Sequence, residues 1–389
     1  MGFSKLKYKI KLFIRFVVFA LLNRIVICSS KLKQDRVLFL SDVRDVLDGN
    51  LGYVYNYLDD KEYEKIILFK KDRKEKRSFK NKLKLIYFLS TSKYIVLDDF
   101  SRFISLMHVR KGQQVCQLWH GAGAFKKFGH SRTDQGNGKI KEILGHRNYT
   151  KAIVSSPDIR WCYAEGFGMN IDNIKATGFP RTDMFFDEKY KNERKNELYK
   201  EYSFLKDKKV ILFAPTYRGN SLKRSYYDYE KLNVEKIYNE FKDKGYIFIF
   251  KWHPGLYYQM NKKEIKPYEL EKYSNFYYDL SEVRDINDLL LITDILITDY
   301  SSVIFDYVLL NKPVIYFVYD YEGYNKERGL YFDFKDYIYG EVAKNTDELI
   351  EAIKKDELNE KKRKKFIEKF MIECDGRATE KTCKWIFEI

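Results

Sequence analysis

Two tryptophan–histidine pairs are the residues best suited to chemistry in this chain. The first lies in Gln117-Leu118-Trp119-His120-Gly121-Ala122-Gly123 and the second in Phe250-Lys251-Trp252-His253-Pro254. An imidazole titrates near neutral pH, so it can take a proton from an attacking hydroxyl or donate to a developing anion. Each pair follows a short apolar run, 115–118 and 247–250, that reads as a buried strand. In open α/β sheets, ligands bind in the crevice beyond the carboxyl ends of the strands. Histidines at two such ends, more than a hundred residues apart, are what a cleft between two halves would need. A lone histidine there is more often a hydrogen-bonded structural residue. Matching contexts in a chain with only 5 histidines favour function. Gly121 and Gly123 would let the backbone approach a ligand closely. His108, His130 and His146 lack this context and read as surface or packing residues.

Three further constellations suit an anion. Phe213-Ala214-Pro215-Thr216-Tyr217-Arg218-Gly219 offers a hydroxyl and a guanidinium after an apolar run. Thr298-Asp299-Tyr300-Ser301-Ser302 opens an apolar helical stretch that runs through Asp306. Ser301 or Ser302 as an N-cap would leave backbone N–H groups and a positive helix end for a phosphate. Gly178-Phe179-Pro180-Arg181-Thr182-Asp183 is a turn presenting Arg181. Each has an ordinary structural explanation, a cap or an inter-domain salt bridge. Together with Lys251 they describe an anion-binding cleft.

The elements that must position these residues are legible as apolar runs. Runs at 37–40, 65–69, 94–97, 115–118, 152–155 and 174–176 form one series. The charged stretch 188–209 reads as a helix plus linker, and a second series follows at 210–213, 247–250, 276–278, 295–297 and 314–317. Continuous apolar strands alternating with helices mean parallel sheets covered on both faces. The expectation is an α/β chain of two Rossmann-like halves facing across a cleft. The halves would span 35–190 and 191–375, and a terminal helix over 376–389 would pack back on the first.

The chain of 389 residues, 45% hydrophobic with 33 Tyr and 29 Phe, can bury two cores. Cys28, Cys116, Cys162, Cys374 and Cys383 show no CxxC pair or metal spacing, which argues against a disulfide framework or zinc site. No Walker loop and no DxD triplet flanked by an apolar strand occurs, which disfavours a P-loop NTPase and a metal-dependent glycosyltransferase. No metal and no cofactor are expected.

The formal net charge of +16 is uneven: Lys5, Lys7, Lys9, Lys11, Arg15, Arg24, Lys31 and Lys33 all precede the first acidic residue, Asp35. Between Arg15 and Arg24 stand seven apolar residues and one Asn, far short of the roughly 20 needed to cross a bilayer. Arg24 interrupts the stretch and no A-x-A cleavage site follows, against a secretory signal. Leu6, Ile10, Phe13, Val17, Leu21 and Ile25 recur at helical spacing among the lysines. Residues 1–34 therefore read as a basic amphipathic helix lying on an anionic membrane surface. A helix docked on the protein's own body is the ordinary alternative. Nucleic acid is disfavoured, because no recognition motif accompanies the charge.

Taken in order, Trp-His-Gly, Gly-x-Pro-Arg-x-Asp, Ala-Pro-Thr-Tyr-Arg, Lys-x-His-Pro and Thr-Asp-Tyr-Ser-Ser-x-x-Phe-Asp resemble the CDP-glycerol:poly(glycerophosphate) glycerophosphotransferase family over roughly residues 35 to 385. The resemblance implies a two-domain GT-B fold and a peripheral position on the cytoplasmic face of the cell membrane. It implies transfer of an alditol phosphate from CDP-glycerol or CDP-ribitol to a polyprenyl-diphosphate-linked teichoic acid or capsule acceptor, with release of CMP. It places His120 and His253 as the catalytic pair. Trp119, Gly121, Ala122, Gly123, Arg181, Thr216, Tyr217, Arg218, Lys251, Trp252, Ser301, Ser302 and Asp306 would bind the CDP-alditol. Glycerol-type members often continue Trp-His-Gly-Thr-Pro-Leu-Lys, whereas Ala122-Gly123-Ala124-Phe125 looks more like ribitol-transferring relatives. The short amino-terminal region is similar to single-module members, without the extra domain of the long polymerases. A glycosyltransferase using a nucleotide sugar, or a catalytically silent assembly factor at the membrane surface, are the other readings.

Overall fold

Among the described residues, twelve strands form two six-stranded sheets in which every pairing is parallel. The computed structural model describes residues 3–70, 77–132, 145–219, 224–273 and 275–389. The side chains of residues 3–6, 8–9 and 11–12 lie outside that description, among them the expected Leu6, Lys5, Lys9 and Lys11.

The first sheet holds β1 (Lys33–Leu40), β2 (Glu64–Leu68), β3 (Ser92–Leu97), β4 (Gln114–Gln117), β5 (Lys151–Val154) and β6 (Ile174–Ala176), in the order β2-β1-β3-β4-β5-β6. The second holds β7 (Lys209–Phe213), β8 (Tyr246–Phe250), β9 (Tyr277–Asp279), β10 (Ile295–Thr298), β11 (Val314–Phe317) and β12 (Glu341–Ala343), in the order β12-β11-β10-β7-β8-β9. Val37 through Leu40 and Ile211 through Phe213 are completely buried, because helices cover both faces of each sheet. The helix Glu188–Glu201 links the sheets, with Asp187 accepting from Tyr190 N–H at its start.

Observed strands begin and end within two residues of the expected runs, except that β1 starts four residues early, at Lys33. β12 was not expected: it has only three residues, and Glu341 and Val342 are not buried, so no apolar run announces it. β9 falls one residue later than its run because Asp279 completes the pairing with Phe250.

The carboxyl-terminal chain returns to the first half earlier than residue 376. Ser155 Oγ donates to Phe370 O at the end of the helix Glu360–Phe370, and Glu373 N–H donates to Ser155 O. The last helix, Ala378–Phe387, starts on Asp183, whose carboxylate accepts from Ala378 and Thr379 N–H at 2.9 and 2.8 Å. Gly178 sits at φ +79°, and a Cβ there would stand 2.3 Å from Glu373 O, so this crossing demands glycine.

The helix Phe3–Ser29 is anchored by its second half. Phe19 is buried against Phe103, and the buried Asn23 donates to Ser90 Oγ and accepts from His108 N–H. Its other face stays open: Ile10, Phe13, Val17, Leu21 and Ile25 are 41–67% exposed. Among the described residues, no helix is long and apolar enough to cross a membrane.

Candidate functional site

His120 stands just past the end of β4. The chain makes one more pairing bond, Leu118 N–H to Leu97 O, before Trp119 turns it with φ +56°. A tryptophan in the left-handed region is strained, so the surroundings must impose it. Asn50 Nδ2 donates to Trp119 O at 2.9 Å, and Gln117 Oε1 accepts from Trp119 N–H at 2.9 Å. The indole stacks on Phe128 and meets Phe167 edge-on, and it lies 4.3 Å from the His120 ring. His146, read as a packing residue, touches the same indole and bonds Tyr149. His120 Nδ1 lies 3.3 Å from Asp98 O. A carbonyl can only accept, so this contact puts the proton on Nδ1 and leaves the Nε2 lone pair on an exposed ring. Beneath it, the Asp98 carboxylate is buried and held by Arg44 and Ser41.

His253 has the opposite arrangement. It caps the helix Pro254–Lys263, and its Nδ1 accepts from Gly255 N–H at 3.0 Å. An accepting Nδ1 carries no proton, so the neutral ring presents Nε2–H as a donor. Tyr217 lies 4.6 Å away ring to ring, and Arg328 donates to the Tyr217 hydroxyl at 3.2 Å.

The His120 loop is tied across to the second half. Arg181 donates to His120 O at 3.0 Å and to both carboxylate oxygens of Asp306 at 2.9 and 3.0 Å. Asn50 Oδ1 accepts from Arg181 N–H, so one asparagine fixes both the Trp119 turn and the arginine. From Gly121 to Phe128 the chain crosses to the second half. Phe125 packs among Phe305, Phe334, Phe366 and Phe370, and Lys127 N–H and Tyr331 N–H bond Gly329 O and Phe125 O. Lys126 Nζ reaches Thr216 Oγ1 at 3.2 Å.

Several residues expected to bind the donor are committed elsewhere. Arg218 is buried. Its guanidinium bonds Asp299, both oxygens of Asp320 and Thr216 O, so it braces the Thr216–Tyr217 loop from inside. Trp252 is 2% exposed and packs with Phe213, Phe250 and Tyr227 in the second core. Lys251 Nζ donates to Ser281 O and Val283 O at 2.8 and 2.6 Å, and burial pushes its pKa down to about 8. Ala122 is buried. Gly123 packs against Phe305, whose ring would stand 2.2 Å from a Cβ. A Cβ on Gly121 would meet Trp119 Nε1 at 3.9 Å, an ordinary contact. Ser302 makes no capping bond and Ser301 Oγ accepts weakly from Val303 N–H at 3.4 Å, ahead of a helix of only five residues, Val303–Tyr307. Thr216 and Tyr217 remain at the seam beside His253.

Asp98, Asn50, Lys126 and Arg328 were not singled out from sequence. Lys126 carried a signal, since it follows His120 by six residues. The other three come together only through the fold. A cavity of about 1210 Å³ opens at the seam near Arg181 but includes neither histidine. Its lining carries Asp48, Asp183, Asp187, Asp285, Glu197 and Glu282 among others, an acidic wall that would repel a diphosphate. Among the described residues, no three His, Cys, Asp or Glu side chains are grouped to hold a metal ion.

Two parallel six-stranded sheets, each with a Trp-His loop at the end of one strand, define a two-sheet α/β protein. The profile of the CDP-Glycerol:Poly(glycerophosphate) glycerophosphotransferase family matches residues 21–388, and the chain belongs to that family. It is 46% identical over 352 residues to the teichoic acid poly(ribitol-phosphate) polymerase of Bacillus spizizenii, covering 90% of this chain and 56% of that protein. The chain thus spans little more than half of that relative's length. The teichoic acid ribitol-phosphate primase of the same organism is 32% identical over 364 residues, 91% of either chain. The wall teichoic acid polymerase TagF shares the fold at a TM-score of 0.74, with 21% identity over 98% of this chain and 96% of that one.

Proposed function

We propose that the protein transfers an alditol phosphate, ribitol phosphate in the first instance, from a CDP-alditol to a polyprenyl-diphosphate-linked teichoic acid acceptor, releasing CMP. The observation carrying this reading is the opposite commitment of the two Nδ1 atoms, one donating to Asp98 O and one accepting from Gly255 N–H. Nε2 of His120 takes the proton of the acceptor hydroxyl as its oxygen attacks the alditol-bearing β-phosphorus. The bond from that phosphorus to the CMP oxygen breaks, and His253 Nε2–H donates to the developing charge. Arg181 holds the His120 loop and Asp306 together and so sets the spacing of the two lobes. We read the arrangement as GT-B, with 35–190 as the acceptor half and 191–375 as the donor half.

Ribitol is favoured by the ribitol-phosphate polymerases at 46% and 36% identity, against 26–31% for the glycerol-phosphate enzymes of the family. The open apolar face of the helix Phe3–Ser29, flanked by Lys7, Arg15 and Arg24, supports a position on the anionic cytoplasmic surface of the cell membrane. Incubation with CDP-ribitol, CDP-glycerol and UDP- or GDP-sugars in parallel, with a lipid-linked acceptor, tests the reading. CMP release fastest from CDP-ribitol is expected. UDP or GDP release, with no CMP from either alditol donor, would overturn it.

A further inference from the structure

We propose that Lys126 and Arg328, one from each half, form a phosphate clamp beside His253 that grips the diphosphate of the donor. The inference rests on the transferase reading and names a subsite within it. Lys126 is presented rigidly. Its segment is pinned by the antiparallel bridge to Leu330, by Lys127 N–H to Gly329 O and by Tyr331 N–H to Phe125 O, with Phe125 locked in an aromatic cluster. The ammonium crosses to the second half and donates to Thr216 Oγ1. Among the described residues, no carboxylate reaches ion-pairing distance of it. Asp299, whose charge acts on it, is already held by Arg218 and by Thr216 N–H.

The charges around Lys126 make this more than a surface lysine. Arg328 and Arg218 act on it as cations, opposed by the Asp299 carboxylate. Beside them stands Tyr217, which bonds Arg328 and lies against His253. An ammonium among cations is unfavourable unless an anion arrives to compensate. Burial first, then Arg328, pushes its pKa down to about 8. A diphosphate bridging Lys126 and Arg328 would supply the missing charge and make charge-assisted bonds to donors from both lobes.

Calorimetric titration of the full chain with CDP-ribitol and CDP-glycerol tests this, using the wild type, Lys126→Gln and Lys126→Arg. Lys126→Gln should raise the Kd by about 10- to 100-fold, the loss of one charge-assisted hydrogen bond. Lys126→Arg should restore most of the affinity. A diphosphate diester has no ionisation near neutrality, so wild-type affinity should fall as pH rises above about 8, where the free lysine loses its charge. Lys126→Arg should lack that fall, a difference that a purely structural lysine would not produce. Should Lys126→Gln fail to fold, the pH profiles of the wild type and Lys126→Arg decide alone. Wild-type affinity in Lys126→Gln, or the same pH profile in Lys126→Arg, overturns the clamp. A wild type that binds neither CDP-alditol instead sinks the transferase reading beneath it.

Discussion

Arg181 and Asp306 form a buried, two-bonded ion pair between the two halves, with side chains 10% and 8% exposed. The same guanidinium holds His120 O, so the pair joins fold stability to the geometry of the His120 loop. Asp306→Asn would leave the guanidinium buried without its counter-charge. The expected cost is about 3–5 kcal/mol of stability. Denaturant melts should show it, and a melt within experimental scatter of wild type would refute the pair's importance.

His120→Ala should lose about 10²–10⁴-fold in kcat, the usual contribution of a general base, with the Kd for the CDP-alditol little changed. His253→Ala should weaken that Kd as well as kcat, because the role proposed for its Nε2–H is on the donor rather than the acceptor hydroxyl. Steady-state kinetics combined with equilibrium binding separates the two patterns. Identical profiles for both variants would dissolve the division of labour.

Gly123→Ala combines a φ of +66° with a Cβ 2.2 Å from the Phe305 ring. Strain and overpacking together should destabilise by at least about 2 kcal/mol. Phe305→Leu in the same chain should recover part of that loss, measured as a double-mutant cycle. Purely additive effects would show that the ring is not what requires glycine.

Lys251 has a folded pKa pushed down to about 8 from an ordinary 10.5, burial being the main cause and Asp279 and Asp285 opposing it. Between those values the unfolded chain binds more protons than the native one, so this group's contribution to stability rises with pH. Its neutral amine still has two N–H bonds for Ser281 O and Val283 O. The stability of wild type minus that of Lys251→Met should therefore increase from about pH 8 to about pH 10.5. Urea midpoints across that range check it, and a flat or falling difference would count against the buried-cation account.

Phe13→Glu with Val17→Glu places carboxylates on the open face of the helix Phe3–Ser29, where both side chains are exposed. Sedimentation with anionic vesicles should fall sharply while the melting temperature stays put. Removing the whole helix is a poorer experiment, because Phe19 and Asn23 belong to the first core. Undiminished vesicle binding in the double variant would remove the membrane assignment.

The central strands were legible because a strand buried on both faces must be an unbroken apolar run, whatever lies beside it, and the partly exposed edge strands β2, β6 and β9 still carry short apolar runs. β12 escaped because a short, partly exposed edge strand needs no such run. The chain's own order of residues likewise put a histidine after β4 and another after β8, since strand ends are where loops begin. Which side chains then face a ligand was decided elsewhere. Arg218 and Lys251 look identical in sequence to phosphate-binding cations, yet Asp320 and the carbonyls of Ser281 and Val283 claim them. Lys126 looks like an ordinary surface lysine until Phe125 anchors its segment across the seam. A cation's role depends on which charges come within a few ångströms, and contacts spanning a hundred residues exist only once the halves have met.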